Sequence, residues 1–170
     1  MHIPDGFLDA KTAAAAAAVS LTGVGWAVRY FRRSASGRQI PLIGLVAAFI
    51  FAAQMFNFPV AGGTSGHLLG AVLAAILVGP YAAILVMTSV LLLQCFLFAD
   101  GGVTALGANI LCMGIVASLV GYAVYQGLFR LGKQSLRGRL FAAFVASWCS
   151  TVAASVTCAG LLALSGTVNW

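Results

Sequence analysis

Charge is the scarcest property of this 170-residue chain: 7% of its residues are Asp, Glu, Lys or Arg, against about 25% in a typical soluble domain. With 62% hydrophobic residues and a mean hydropathy of +1.05, it has too little polar surface to cover a water-soluble globule. A soluble enzyme or a nucleic-acid-binding module is excluded on that ground. Acidic residues are limited to Asp5, Asp9 and Asp100, and no Ser/His/Asp, paired-carboxylate or HExxH arrangement is present, so the chain carries no catalytic apparatus. Its glycine-rich stretch, residues 59–66, lacks the lysine of a phosphate-cradling loop and follows no strand, which removes ATP hydrolysis from this chain. The four cysteines, Cys95, Cys112, Cys149 and Cys158, sit inside apolar runs with no CxxC spacing and read as packing residues. A cleaved secretory signal needs a basic lead before its apolar core, whereas this chain opens Met1, His2, Ile3, Pro4, Asp5, Gly6, so the N-terminus is expected to be retained.

What is present is a set of membrane-crossing runs. Residues 9–30, 41–57, 81–98, 104–128 and 140–164 are each apolar and long enough to span, while 67–79 would rise only ~20 Å as a helix, short of a ~30 Å hydrocarbon core. The basic residues decide how this short run is counted. Apart from Lys11 they fall in two clusters, Arg29 to Arg38 and Arg130 to Arg139. Both clusters reach the same, cytoplasmic side only if 67–79 is a separate short helix turning back at Gly79-Pro80. The expected fold is therefore all-α: one polytopic transmembrane bundle over residues 1–170, about six helices, with the N-terminus outside. The three aspartates then gather at the outer face, which favours a cation there.

The same topology brings together the only two histidines, His2 and His67, across 65 positions of sequence. A histidine at position 2 has a particular chemistry. The chain's α-amino group, the amide nitrogen of residue 2 and its imidazole Nδ1 can close two fused chelate rings around one ion. Such a plane suits Ni(II) or Cu(II) and suits Zn(II) or Mg(II) poorly. Met1 would supply the amine, and His67 is the remaining imidazole for the fourth corner. Read singly, each histidine also fits a structural role. Four side-chain amides, Gln54, Asn57, Gln94 and Asn109, lie in the outer halves of their helices. They are placed to orient the imidazoles or to hold the helices to one another. Thr64 and Ser65, in the loop leading to His67, belong to the same outer layer. Small residues mark close packing: Gly107, Gly114 and Gly121 at heptad spacing, and the block Ala13 to Ala18, where Ala13, Ala14, Ala17 and Ala18 could seat either a neighbouring helix or a separate membrane subunit.

The opening MHIPDGFLD and the segment FAAQMFNFPVAGGTSGHLLG (51–70) resemble the two signature regions of the substrate-specific component of cobalt and nickel energy-coupling-factor transporters, the CbiM/NikM family. The resemblance implies a component of a prokaryotic cell membrane. Such a component captures Ni2+ or Co2+ at the outer face through Met1, His2 and His67. It works with a membrane-embedded coupling subunit and cytoplasmic ATPases, the alanines of the first helix facing the coupling subunit. It also implies, in many members, one further membrane segment beyond Trp170. Nickel is favoured over cobalt by the four-nitrogen plane. Two other readings are a substrate component for an organic vitamin, for which Phe56, Phe58 and Phe96 are available, and a non-transporting membrane scaffold.

Overall fold

The structure, a computed structural model, describes residues 2–34, 37, 39–56, 58–60, 64–131 and 135–167, with only the backbone of Ser34, Pro59, Val60, Thr64 and Ser65. Met1 and Asn57 of the expected site lie outside the described residues, as do the side chains of Thr64 and Ser65. Six helices follow in order: α1 (Ala10–Ser34), α2 (Gln39–Met55), α3 (Ala71–Val78), α4 (Pro80–Phe98), α5 (Leu106–Leu131) and α6 (Leu136–Leu164). The all-α bundle is thus as the sequence indicates, with one addition. Between α2 and α3 a small antiparallel hairpin pairs β1 (Phe58–Val60) with β2 (Thr64–Gly66), Pro59 opposite Ser65.

The turn chemistry explains where the helices stop. Gly79, at φ 88° and ψ 160°, breaks the chain between α3 and α4, and Pro80 occupies the first position of α4, where its missing N–H costs nothing. The α1 start is capped by Asp9, whose carboxylate accepts from the Lys11 and Thr12 amides, and the α6 start by Ser135, whose hydroxyl accepts from Gly138. Three helices, α4, α5 and α6, are long and apolar enough to cross a membrane, and α2 is a shorter apolar helix. α6 turns Leu140, Phe141, Phe144, Trp148, Val152 and Val156 outward, a surface suited to acyl chains rather than water.

α4 and α5 form the centre. Ile50 of α2, Ala74 and Ala75 of α3, Met87 and Leu91 of α4, Met113 and Ala117 of α5 and Ala154 of α6 are buried in one core. Two buried hydroxyls are tied to backbone carbonyls across helices: Ser20 donates to Gly107 and Ser150 to Ala117. Residues Ile110–Val116 of α5 form a π segment, whose wider i→i+5 turns change the phase of everything after it. The three glycines of α5 therefore do not share one seam. Gly107 lies directly on the Ala17 backbone of α1, Gly121 lies on Val72 of α3 and near Ser150 of α6, and a Cβ at Gly114 would meet only ordinary contacts at 3.7 Å. Ala16 is buried and Ala17 packs inward on Gly107, whereas Ala14 and Ala18 are exposed.

Gly107→Ala is accordingly expected to lower the thermal unfolding midpoint in detergent, at a cost of about 1–3 kcal/mol from forcing α1 off α5. Gly114→Ala should leave the midpoint unchanged within scatter.

Candidate metal centre

The N-terminal segment does not trail away from the bundle; it is stapled into it. The Ile3 amide donates to Asn109 Oδ1 (2.8 Å), and Asn109 Nδ2 donates back to the Ile3 carbonyl (3.1 Å). The Gly102 amide donates to the same carbonyl (2.9 Å), and the Ile3 side chain is buried with Ala16, Ala105 and Ala108. Asp5 completes the staple by accepting from the Val103 and Thr104 amides and the Thr104 hydroxyl. These bonds hold its carboxyl below the usual carboxylate range. Gly102 has to be glycine here, because a Cβ would collide with the Pro4–Asp5 backbone.

Stapling places the His2 imidazole at a defined point, stacked on His67 with ring centroids 5.0 Å apart and planes at 25°. The convergence expected from topology is therefore present in the side chains. Gln94 and Gln54 join the two histidines into a polarised chain. Gln54 Nε2 donates to the Leu69 carbonyl (2.7 Å), Gln94 Nε2 donates to Gln54 Oε1 (2.9 Å), and Gln94 Oε1 lies 3.2 Å from His2 Nε2. A backbone carbonyl can only accept. Each amide's orientation follows from the one before, and His2 Nε2 must carry the proton that reaches Gln94. His2 Nδ1 then holds a lone pair. By the same logic His67 Nδ1–H donates to the Leu68 carbonyl (3.0 Å), so its lone pair is on Nε2.

The outcome is a pair of imidazoles each presenting a basic nitrogen. His2 Nδ1 is buried and makes no hydrogen bond, an orphaned acceptor of the kind an incoming cation satisfies. It is also the nitrogen that the N-terminal chelate requires. Among the described residues no three His, Cys, Asp or Glu side chains are grouped closely enough to hold an ion unaided. Phe56, Phe58 and Phe96, the aromatics available to an organic ligand, are all exposed rather than walls of an enclosed pocket.

Asp100 and the Gly101–Gly102 pair are site features whose role the sequence did not reveal. The chain leaves α4 through Ala99 in the left-handed region (φ 51°), with the Ala99 and Asp100 amides both donating to the Gln94 carbonyl. This places Asp100 Oδ1 3.3 Å from His2 Nδ1. A signal was available in the Asp-Gly-Gly sequence at a helix end.

Burial keeps both imidazoles neutral. It pushes the His2 pKa down to about 4 against the opposing pull of Asp100, with His67 adding to the lowering, and burial lowers His67 in the same direction. An undocked segment returns His2 to its ordinary 6.5. Between those values the undocked form binds a proton that the docked form does not, so docking weakens as pH falls, by roughly tenfold per unit. Hydrogen-exchange protection of the Ile3 amide, corrected for the intrinsic rate, should accordingly hold above pH 6.5 and decline steadily toward pH 4.

Comparison with known proteins identifies relatives over nearly the whole chain. A family model described as the cobalt uptake substrate-specific transmembrane region, CbiM, matches residues 2–169. The chain is similar to a putative fused nickel transport protein, NikMN, of Archaeoglobus fulgidus, at 46% identity over 157 residues, 92% of this chain and 50% of the relative. It is 43% identical to a putative metal transport protein of Haloquadratum walsbyi, over 98% of this chain and 71% of that protein. A cobalt transport protein, CbiM, of Desulforamulus reducens is 40% identical over 74% of this chain and 51% of the relative. The chain thus spans about half the length of several curated relatives. Among solved structures, a truncated transition metal transporter superposes with a TM-score of 0.90 at 33% identity, over 99% of this chain and 77% of that one.

Proposed function

Because the chain belongs to the CbiM family of cobalt uptake substrate-specific transmembrane regions, we propose that it is the metal-capturing component of an energy-coupling-factor importer for Ni2+ or Co2+. The observation that carries this reading is the orphaned, buried Nδ1 of His2 beside His67. In this proposal the ion is held by the Met1 amine, the His2 amide nitrogen, His2 Nδ1 and His67 Nε2. Gln94, Gln54 and Asn109 fix the geometry without touching the ion, as metal-bound imidazoles require. The planar four-nitrogen set favours nickel.

Orientation follows from charge. His2, His67 and Asp100 gather at one end of the bundle, while α1 runs away from it to Arg29, Arg32 and Arg33, and α5 to Arg130. Arg137 and Arg139 start α6 at that far end, Arg139 lying 5.3 Å over the Phe129 ring. Basic loops stay in the cytoplasm, so the metal end faces outside a prokaryotic cell membrane. The chain has no nucleotide-binding motif, so ATP hydrolysis belongs to cytoplasmic partner subunits. A membrane-embedded coupling subunit would dock on α1, where Ala14 and Ala18 leave a smooth exposed face beside Ala13 and Ala17.

Inserting one residue between Met1 and His2, or acetylating the Met1 amine, breaks the fused chelate rings while leaving both imidazoles. Calorimetry with Ni2+ and Co2+ on the purified chain should show affinity reduced at least about 100-fold, equivalent to roughly 2.7 kcal/mol. Unchanged affinity, or heat from a vitamin and none from either metal, would overturn the proposal.

A further inference from the structure

The end of α1 farthest from the imidazoles carries positive charge that no carboxylate side chain of the protein can neutralise. Arg29, Arg32 and Arg33 stand at i, i+3 and i+4, so they share one face of the helix. That face is exposed and turned away from the buried Ala27. Every acidic residue of the chain, Asp5, Asp9 and Asp100, lies at the opposite end of the bundle. One turn back from Arg29, Gly25 and Val28 continue the same face, and these five residues line an open hollow of about 480 Å³. One end of the hollow offers guanidinium groups and the other only a glycine and a valine.

Aromatic side chains fix the depth of this hollow in a membrane. All four tyrosines of the chain, Tyr30, Tyr81, Tyr122 and Tyr125, fall at this end, on α1, α4 and α5. The Tyr81 ring lies 4.0 Å from that of Tyr30 and 5.2 Å from that of Trp26. Such side chains gather where hydrocarbon gives way to headgroups. Trp26 and Tyr30 belong to the same stretch of α1 as the hollow, so Arg32 and Arg33 stand among phosphates while Gly25 and Val28 stand among acyl chains. From Gly25 to Arg33 the helix rises ~12 Å, more than the ~5–8 Å headgroup layer of one leaflet. One hollow therefore spans both layers.

We infer that this hollow holds an anionic phospholipid of the adjoining leaflet, its phosphate between Arg29, Arg32 and Arg33 and one acyl chain lying over Gly25 against Val28. Each part of the hollow fits that occupant. Guanidinium groups pair bidentately with phosphate oxygens, and clustered basic residues at a membrane surface attract anionic lipids, each adding a few-fold to affinity. A zwitterionic lipid brings an ammonium group that the arginines repel, and a soluble anion leaves the apolar end unused. Glycine at position 25 keeps that end open, since a Cβ there would meet nothing within 4 Å. The inference needs only that this end of the bundle lie at a membrane surface, and it stands or falls separately from the metal reading. Ala14, Ala18 and Gly25 share the exposed α1 face, so the lipid borders the surface offered to a coupling subunit.

Purified chain in detergent, titrated with phosphatidylglycerol or phosphatidylcholine and read by native mass spectrometry, should bind phosphatidylglycerol at least about tenfold more tightly. Gly25→Leu keeps every charge and adds its side chain to open space; by filling the hollow it should weaken phosphatidylglycerol binding about tenfold. A chain carrying Arg29→Gln, Arg32→Gln and Arg33→Gln should lose the preference, whereas one carrying Arg130→Gln, Arg137→Gln and Arg139→Gln, discharged equally, should keep it. Excess inorganic phosphate should not displace the lipid. Equal binding of the two lipids by the unaltered chain would overturn the inference and leave the arginines to a carboxylate-bearing partner. Displacement by inorganic phosphate would also overturn it, marking a site for a soluble anion. So would equal losses in the two discharged chains with Gly25→Leu unaffected, which is the behaviour of diffuse surface charge. If the discharged chains fail to fold, Gly25→Leu decides alone: unweakened binding there overturns the inference.

Discussion

The site depends on one exchange of hydrogen bonds, between the Asn109 side chain and the main chain of Ile3. A chain terminus is ordinarily frayed, because nothing repays the entropy of ordering it. Here the carboxamide of Asn109 presents an acceptor and a donor side by side, as a neighbouring strand would, and saturates both polar groups of one buried residue. Burying Ile3 without those bonds would leave its amide unsatisfied in an apolar layer and its carbonyl with the Gly102 amide alone, at a cost comparable to the apolar burial gained. With them the Ile3 side chain can fill its place among Ala16, Ala105 and Ala108. The adjacent His2 then has little freedom left. The ordering cost is met in folding.

From that fixed point the imidazoles are oriented by polarity rather than by charge. The carbonyls of Leu68 and Leu69 are adjacent acceptors, one setting the tautomer of His67 directly and the other setting that of His2 through Gln54 and Gln94. Glutamines can relay direction over this span because each offers a donor and an acceptor, and they do so without placing a formal charge in the bundle. A carboxylate in the Gln94 position would also accept from His2 Nε2. It would then require a compensating cation even with no metal bound, at the desolvation cost of a buried charge. The only carboxylate near the imidazoles, Asp100, stands at the partly exposed rim instead.

Much of this was legible in the sequence, for identifiable reasons. Helix existence followed from long apolar runs, and boundaries came within a few residues: 81–98 was expected and Pro80–Phe98 is observed. The split at Gly79-Pro80 was decided by the positions of arginines hundreds of atoms away, and local backbone geometry agrees with it. The meeting of His2 and His67 was readable because topology assigns a side of the membrane to each loop. What stayed hidden depends on phase and contact. The π segment at Ile110–Val116 has no sequence mark, so three glycines at heptad spacing looked like one seam and are not. The 58–66 hairpin was hidden by its length of three residues per strand. Asp100 was noticed as outer charge, but its aim at His2 depends on a left-handed alanine that no propensity foretells.

The shortness of α3 joins the two halves of the architecture. Eight residues rise only about 12 Å, far less than a hydrocarbon core, yet the connection from His67 to Gly79 reverses the chain's direction as a full crossing would. Four passes between the two basic loops, an even number, keep both loops at one end and the imidazoles at the other. A full-length helix here would have filled the space at the other end, where a hollow of about 510 Å³ is lined by Tyr30, Val78, Pro80, Tyr81 and Tyr122. The tyrosines make that space tolerable. Tyr30 and Tyr81 rings lie 4.0 Å apart at a tilt of 36°, and Tyr122 accepts from Gln126 at 2.8 Å, so aromatic rings and a satisfied hydroxyl line this open hollow. The half-length helix therefore sets the topology at one end of the bundle and the tyrosine-lined hollow at the other.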